Sequence, residues 1–351
     1  MDNKKSLQAI IFSFNRPLQL ETLIDSIFEN IHNINLHITV IYNCTNDRLQ
    51  KGYDIVSIKY GEKVEFLKEE KNTSKYKIKD FFSLRNVKTF IKQKTVRNPK
   101  TNFRDLVIYS VENNRSDYTV FFTDDSVLFQ EFNFSQNIEN FLDSDLMNNS
   151  FSLRLGKNVD DGYFRGVKKG NFMYWNFSDS PTRSHWGYRF SVDGHIYSYK
   201  AISYLVKKLI YANPNTMEPS IHEFAFKKGI LRYGMCSLDS CLIAFPLNEV
   251  NTVCPDNVHQ QISIEMLNDR LIEGWHLNYD IPPKSDIERF PHISRRIFFK
   301  RDNVTEEYVI KSPIEYNFMF LPQGIELQLL YEKLSKTSTF SHIIFALIII
   351  K

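Results

Sequence analysis

Cysteine, glycine and proline are all scarce in this chain of 351 residues, which has 4 Cys, 12 Gly and 12 Pro. Four cysteines at this length are too few for a disulfide framework, and their spacing matches no zinc-binding pattern. No Gly/Ser-rich or Pro-rich linker divides the chain, and no internal repeat is visible. The first residues lack the pattern of a secretory signal peptide. We therefore expect a globular protein with reduced thiols in the cytoplasm.

An excess of charge of one sign is also missing. Lys and Arg total 44 against 41 Asp and Glu, which gives a formal net charge of +3. A dedicated nucleic-acid-binding protein would show a strongly basic face, so we expect no nucleic-acid partner. Two lysine-rich stretches, residues 68–79 and 88–100, are interrupted by acidic and apolar residues. We interpret them as solvated surface, with attraction to phosphates or to an anionic membrane as the alternative.

The one long apolar run covers residues 343–350, near the end of the sequence. Eight residues are too few to span a bilayer, which takes about 20. Two interpretations of this run stay open. It packs on the domain as the end of a strand or helix, or it attaches the protein peripherally to the cytoplasmic face of a membrane.

Strand and helix patterns alternate in the first half of the chain. A helix is expected to open at Arg16-Pro17, because Pro is tolerated in the first turn, and apolar residues from Leu20 to Ile31 follow with helical spacing. Another helix is predicted over residues 102–113. The predicted strands are residues 8–14, 36–42, 63–67 and 118–123.

This alternation predicts right-handed crossovers and a mainly parallel sheet. Ligands of such sheets bind at the carboxyl ends of the strands. We therefore expect three loops, at residues 14–15, 42–47 and 124–126, to converge on one site.

The second half of the chain has a different pattern. Residues 151–155, 171–177 and 240–246 are predicted strands of a mixed sheet, and residues 201–211, 220–228 and 262–272 are predicted helices, the last capped by Ser263. Beyond about residue 274 the patterns weaken to polar loops, a strand pair within residues 296–309 and a final helix from Ile325.

Two adjacent acids, Asp124 and Asp125, follow a buried strand. Adjacent carboxylates repel each other, and a hard divalent cation with oxygen ligands is a natural partner for them. Such a cation, Mn²⁺ or Mg²⁺, would neutralise a departing diphosphate. The alternative is a solvated turn, because Asp-Asp-Ser is also a common turn sequence.

The segment Ile11-Phe12-Ser13-Phe14-Asn15-Arg16-Pro17, followed roughly 110 residues later by Phe121-Phe122-Thr123-Asp124-Asp125-Ser126, resembles glycosyltransferases of the GT-A fold. It is most similar to family-2-type bacterial enzymes that build capsule, O-antigen or other surface polysaccharides. The resemblance implies an α/β, GT-A-like (Rossmann-like) fold, with a mixed, mainly parallel sheet flanked by helices and a mostly helical C-terminal appendage. It also implies a catalytic domain over residues 1–274, with a nucleotide-sugar-binding half (1–130) and an acceptor-binding half (131–274), and the appendage over residues 275–351.

The resemblance also implies site residues. Nucleotide-sugar contacts fall on Phe12, Phe14, Asn15, Arg16, Asn43, Asp47, Asp124 and Arg154. The metal ligands it implies are Asp125 and Asp124. Ser126 departs from the family pattern, which commonly has a third acid at this place, and this departure puts metal dependence in doubt.

A second block of resemblance contains Trp186, Gly187, Tyr188 and, further on, Asp193, Gly194 and His195. Aromatic faces stack on sugars and polar groups hold their hydroxyls, so Trp186, Tyr188 and His195 are expected acceptor-binding residues. The alternative is that Trp186 and Tyr188 belong to the core and that Asp193-Gly194 is a hairpin turn.

A third block contains Glu218 and Pro219. Pro219 fits the first turn of the helix that follows, which would place Glu218 at its entrance. In inverting members of this fold an acid at such a place deprotonates the acceptor hydroxyl. By that resemblance Glu218 is the expected base, with Asp193 as the alternative. The alternative to a catalytic role is that Glu218 is an acidic cap of the helix.

The function implied is transfer of a sugar from a nucleotide-sugar to a hydroxyl of a glycan or lipid-linked acceptor, by an inverting, metal-assisted reaction. Two alternatives stay open. A sugar nucleotidyltransferase would need a Gly-rich phosphate loop after the first strand, and no Gly stands there. A non-catalytic glycan- or partner-binding module on the same fold is consistent with Ser126.

Overall fold

The computed structural model describes residues 4–71, 76–159, 162–245, 247–248, 262–279 and 297–308. All of them lie within one compact unit, Met1–Ile310. Within these ranges no helix has the length and apolar character that crossing a membrane requires. The apolar run at residues 343–350 and the predicted final helix lie outside the described residues. The predicted domain boundary at residue 274 stays a prediction.

The helices of the described ranges flank a large sheet. They are α1 (Pro17–Asn30), α2 (Asp47–Tyr60), α3 (Leu84–Lys92), α4 (Lys94–Arg97), α5 (Phe103–Asn114), α6 (Gln136–Ser144), α7 (Tyr199–Lys208), α8 (Pro214–Lys228) and α9 (Ile264–Ile272).

The strands alternate with these helices in the first half of the chain. They are β1 (Ser6–Phe14), β2 (Ile31–His32), β3 (Asn35–Asn43), β4 (Val64–Lys68), β5 (Tyr118–Thr123), β6 (Ser126–Leu128), β7 (Phe132–Asn133), β8 (Asn149–Ser152), β9 (Gly166–Lys169), β10 (Phe172–Asn176), β11 (His195–Ser198), β12 (Tyr233–Ser237), β13 (Leu242–Ala244), β14 (His276–Tyr279), β15 (Ile297–Arg301) and β16 (Val304–Tyr308).

The main sheet has the strand order β4-β3-β1-β5-β11-β8-β12-β10-β9. Strands β4, β3, β1 and β5 are parallel to one another, and only β11 and β10 run against the direction of the rest of this sheet. The α/β fold with a mixed, mainly parallel sheet flanked by helices is therefore confirmed. The predicted strand pair near the end of the described chain is also present, as β15 and β16, with β14 as a third antiparallel strand.

Strand β1 shows how the chain fills both faces of this sheet. Side chains alternate across a strand. Accordingly Leu7, Ala9 and Ile11 belong to one apolar cluster, which includes residues of α1 and α2. Ile10 and Phe12 belong to a second cluster on the other face, which includes residues of α5, α7 and α8. Every residue of β1 from Leu7 to Ser13 is buried, as expected of a central parallel strand.

Two strands of the second half differ from the sequence expectation. The strand predicted at residues 151–155 is β8, Asn149–Ser152. The strand predicted at 240–246 is β13, Leu242–Ala244, which pairs with β6 in a separate two-stranded sheet. Residue 246 lies outside the described ranges. Strand β13 cannot pair with β5 or β8 in the main sheet, because each of these strands already has a neighbour on both sides.

Candidate active site

The carboxyl ends of β1, β3 and β5 meet at one edge of the sheet because these strands are parallel. Strand β11 is antiparallel to β5, so it begins at that same edge. The loop that leads into β11 therefore reaches the residues that follow β5. One edge of the sheet collects polar side chains from both halves of the chain.

The three loops predicted to converge do so. The backbone amide of Asn15 donates to the carbonyl of Asn43 at 3.1 Å, and the amide of Thr45 donates to Oδ1 of Asn15 at 2.9 Å. The amide of Phe14 donates to Oδ2 of Asp124 at 2.9 Å. Asn15 has φ 60, a left-handed conformation that Asn adopts more readily than most residues. The Asn15 turn thus binds the ends of β3 and β5 together.

Arg16 holds the acid pair. Its Nη1 lies 3.0 Å from Oδ1 of Asp124 and 3.0 Å from Oδ2 of Asp125. Oδ2 of Asp124 also accepts from the Ser13 hydroxyl at 2.8 Å. Nε of Arg16 donates to Oδ1 of Asn248 at 2.7 Å, and Nη2 donates to its carbonyl. A buried guanidinium therefore supplies the charge compensation that two adjacent carboxylates need.

Electrostatics at this pair follow from burial and mutual charge. Burial raises the pKa of Asp124, Arg16 opposes this shift, and Asp125 adds to it. Burial lowers the pKa of Arg16, but the two carboxylates outweigh it and the net shift is upward. Arg16 therefore stays charged and remains the counter-ion of both acids.

The residues as arranged do not fit a divalent cation. Both oxygens of Asp124 accept hydrogen bonds from the chain, and the cationic Nη1 of Arg16 lies between the two carboxylates. A dication there would face a fixed positive charge within a few ångströms. In the part of the chain that the structure describes, no three His, Cys, Asp or Glu side chains form a group that could hold a metal.

Asp193 joins this group from the loop before β11. Its Oδ1 accepts from the Ser126 hydroxyl at 2.6 Å, and its Oδ2 pairs with Nη1 of Arg154, which follows β8. Gly194 beside it has φ 75, so the chain reverses here in a conformation that favours glycine. Arg154, a predicted nucleotide-sugar contact, is thus the partner of Asp193.

Glu218 approaches the same loop from helix α8. Its Oε1 accepts from the amide of Val192 at 3.0 Å. Burial raises the pKa of Glu218, and the Val192 amide and the Ser191 hydroxyl oppose the shift. The carboxylate lies one residue along the loop from Asp193, so the structure brings both predicted base candidates together.

The reason given for Glu218 was wrong, because α8 starts at Pro214 and not at Pro219. The side chain of Asn213 caps the helix by accepting from the amide of Thr216 at 2.9 Å, and Pro214 takes the first position. Pro219 lies inside the helix. Glu218 is therefore in the second turn, and its place beside Val192 comes from the packing of α8.

His195 is buried and neutral. Burial, with Arg154 and His185 nearby, lowers its pKa to about 3. Its Nδ1 has no hydrogen-bond partner among the described residues. His195 is the first residue of β11, two positions from Asp193, and it stays a predicted acceptor-binding residue.

Three predicted site residues pack against other side chains of the protein. Phe12 belongs to the core, and its ring centroid lies 5.1 Å from that of Phe103. The alternation of side chains along β1 turns Phe12 to the face of the sheet that α5, α7 and α8 cover. Trp186 is 1% exposed, with its ring 5.1 Å from that of Trp175, so the core alternative was correct for it. Tyr188 is half-buried and stacks on His222 at 4.0 Å.

Two predicted nucleotide contacts keep access to solvent. Phe14, at the end of β1, is 37% exposed. Asp47 is exposed in the first turn of α2, and Asn43 ends β3 beside the Asn15 turn. All three positions lie at the carboxyl ends of β1 and β3, the edge at which ligands of such sheets bind.

Sequence reasoning missed polar residues that hold the site together. They are Ser13, Tyr53, Ser126, Ser191 and Asn248. Tyr53 lies on α2, where its hydroxyl is 2.7 Å from Oγ of Ser13 and accepts from the Arg16 amide at 3.1 Å. A usable signal existed for Ser13 and Ser126, because each is a hydroxyl residue within a motif already singled out. Nothing in the local pattern marked Tyr53 or Asn248.

No protein-family model matches the chain. The chain is 21% identical over 343 residues to the bifunctional glycosyltransferase pgtA of Dictyostelium discoideum, an alignment that covers 87% of this chain. It spans 39% of the length of that relative.

Two solved structures are similar at low identity. TarS 1–349 of S. aureus in complex with UDP is 14% identical, with a TM-score of 0.38, covering 68% of this chain and 59% of that one. A mannosyltransferase of Pyrobaculum calidifontis, PcManGT, in complex with GDP-Man and Mn²⁺ is 10% identical, with a TM-score of 0.28, covering 43% of this chain and 36% of that one.

Proposed function

We propose that the protein is a glycosyltransferase that moves a sugar from a nucleoside diphosphate sugar to an acceptor hydroxyl. The observation that carries the proposal is the convergence of the Asn15 turn, the Asp124–Asp125 turn and the Asp193 loop at the carboxyl ends of parallel strands. Sheets of this type bind nucleotides at that edge. The 21% identity to a bifunctional glycosyltransferase along most of the chain supports the same reaction class.

The donor would bind across β1 and β3. The nucleobase would stack on Phe14 and reach the loop at Asn43 and Asp47. The diphosphate would lie over the Asn15 turn, near Arg154, whose guanidinium can offset the charge that develops as the bond to the sugar breaks. The turn at Asp125 would bind the hydroxyls of the donor sugar. Asp124, which Ser13 and Arg16 hold in place, would fix the position of this turn.

The reaction would be a direct, inverting displacement. The acceptor hydroxyl gives its proton to the carboxylate of Glu218, and the acceptor oxygen forms a bond to the anomeric carbon. The bond between that carbon and the phosphate oxygen breaks, and the nucleoside diphosphate leaves with the electron pair. The raised pKa of Glu218 makes it a stronger base than an exposed carboxylate.

Asp193 is the weaker candidate for the base. Its two oxygens are engaged by Ser126 and by Arg154, so taking the acceptor proton would cost it one of these partners. We assign to Asp193 the positioning of Arg154 and of the acceptor. The acceptor class is a glycan or a lipid-linked glycan of surface-polysaccharide synthesis, as the sequence resemblance implies.

The test is a panel of UDP- and GDP-sugars offered with glycan acceptors, with release of nucleoside diphosphate as the readout. We expect one donor class to be consumed, and Glu218→Gln to lower kcat by about a hundredfold or more, the usual contribution of a general base. Glu29→Gln, an exposed acid on α1, is the matched control and should leave kcat unchanged.

Two outcomes would count against the proposal. A chain that releases no nucleoside diphosphate from any donor, yet is thermally stabilised by glycans, is a binding module. A chain that releases pyrophosphate from a nucleoside triphosphate and a sugar phosphate is a nucleotidyltransferase.

A further inference from the structure

Residues 76–100 present large apolar side chains to solvent. Ile78, Phe82 and Leu84 are 81%, 84% and 81% exposed, and Ile91 is 64% exposed. The segment is nevertheless anchored, because Phe81 and Phe90 pack with Tyr76 on a small cluster formed by Val96, Ile210 and Ala212. The outward apolar side chains are therefore a surface of a folded segment, and grouped apolar exposure of this kind marks an interaction site.

The same segment is strongly basic. Residues 76–100 contain eight Lys or Arg and one acid, Asp80. Asp80 is buried and pairs with Arg104 at 3.2 Å, so it does not neutralise the surface. Lys88 and Lys92 of α3 are exposed on the same short helix as Leu84 and Ile91. Apolar side chains surrounded by lysines are complementary to a partner with an apolar interior and an anionic surface.

A basic cavity of about 680 Å³ adjoins this segment. Lys79 and Ser83 line it from the segment, and Lys200, Lys207 and Lys208 line it from α7. Asp80, the acid that pairs with Arg104, also lines it. Lys207 pairs with Glu112 at 3.0 Å. No described carboxylate oxygen lies within 4.0 Å of the ammonium groups of Lys79, Lys200 or Lys208. The cavity can therefore receive an anionic group such as a phosphate.

We propose that residues 76–100, together with this cavity, form a docking surface for an anionic lipid bilayer. Phe82, Leu84 and their apolar neighbours insert at the boundary between headgroups and acyl chains, and the lysines contact lipid phosphates. Lysine is depleted in the cores of protein–protein interfaces, whereas it is enriched on membrane-binding surfaces, so the charge favours a bilayer over a protein partner.

The docking surface touches the helix that carries Glu218. Nη2 of Arg85 donates to the carbonyl of Ser220 on α8 at 2.9 Å. The hydroxyl of Tyr76 donates to the carbonyl of Tyr211, three residues before α8, at 3.2 Å. A membrane-bound chain would thus hold α8 near the lipid surface, where a lipid-linked acceptor lies. This last step rests on the proposed function; the membrane binding itself does not.

The test is sedimentation of the full chain with vesicles, read without turnover. Vesicles of three parts phosphatidylcholine to one part phosphatidylglycerol are compared with pure phosphatidylcholine. We expect binding to the anionic vesicles that weakens at high salt, since surface charges are screened. The variant Lys79→Gln/Lys88→Gln/Lys92→Gln should bind roughly a hundredfold less, from the usual contribution of each lysine near an anionic surface.

Matched controls separate this surface from general stickiness. Phe82→Ser/Leu84→Ser should lose most of the binding, while Ile58→Ser, which removes an equally exposed apolar residue on α2, should keep it. Lys51→Gln/Lys63→Gln/Lys169→Gln should also keep it. Three results would overturn the proposal: equal binding to both vesicle types, no binding at all, or control variants that lose as much vesicle binding as the variants of the docking surface. A dimer that Phe82→Ser/Leu84→Ser disrupts, without vesicle binding, would assign the surface to a second copy and also overturn it.

Discussion

The hydroxyl of Ser126 donates a hydrogen bond of 2.6 Å to Oδ1 of Asp193, and both residues are buried. This bond joins the turn after β5 to the loop before β11, and so connects the two halves of the candidate site. It also gives a structural reason for a serine at position 126. A carboxylate at position 126 would repel the carboxylate of Asp193, whereas the serine hydroxyl donates to it.

The first prediction concerns this bond. Ser126→Ala leaves a buried carboxylate oxygen without one of its donors, and we expect it to lower the free energy of unfolding by about 1.5–3 kcal/mol, with a loss of turnover. Urea denaturation and kcat/KM measure the two effects. Thr305→Ala removes an exposed hydroxyl on β16 and should change stability by less than about 0.5 kcal/mol. Equal stability of the Ser126→Ala and wild-type proteins would show that the bond does not matter.

The second prediction concerns metal removal. Because Arg16 already neutralises Asp124 and Asp125, we expect EDTA to leave both the thermal midpoint and the rate of donor turnover unchanged. Addition of Mn²⁺ or Mg²⁺ should likewise have no effect. Loss of turnover in EDTA, restored by Mn²⁺, would mean that Arg16 leaves the acid pair when substrate binds.

The third prediction is a pH dependence. A base must be ionised to accept a proton, so turnover should fall as the pH drops through the pKa of Glu218. Burial raises that pKa, and the acidic limb should therefore lie above the ordinary value of 4.5. Glu218→Asp should keep a limb with lower activity, and Glu218→Gln should abolish it. A limb that persists unchanged in Glu218→Gln would transfer the role to another acid, with Asp193 next in line.

The fourth prediction separates core from acceptor binding at Trp186. Truncation of a buried tryptophan costs about 3–5 kcal/mol, so Trp186→Ala should unfold at a much lower urea concentration. Trp186→Phe keeps an aromatic ring against Trp175 and should retain the acceptor KM with a smaller loss of stability. An acceptor KM raised tenfold in Trp186→Phe, at unchanged stability, would restore Trp186 to the acceptor site.

The parts of the fold that follow from a repeating pattern were predictable. The apolar residues from Leu20 to Ile31 recur with helical spacing, and those of α1 up to Ile27 are buried. Phe28 is exposed, and Ile31 lies beyond the helix, in β2. The convergence of the three loops followed from the parallel strands alone, because parallel strands end at one edge. That Phe14 and Asp124 are neighbours could therefore be predicted without any knowledge of side-chain packing.

The parts that depend on a choice between equal local signals were not predictable. Pro214 and Pro219 both fit a first turn, and only the Asn213–Thr216 cap decides between them. Trp186 suits a core as well as a sugar platform, and the choice rests on distant neighbours such as Trp175. The pairing of Arg16 with the acids depends on where a long side chain turns, which the pattern of residues around it does not encode.

The position of a bound nucleoside diphosphate tests the central claim most directly. Crystals of the protein grown with UDP, and in parallel with GDP, would place the diphosphate by difference density. We expect density between the Asn15 turn and the Asp124–Asp125 turn, with the nucleobase near Phe14. A diphosphate found instead among Lys79, Lys200 and Lys208 would contradict it, because the converging loops would then not be the donor site.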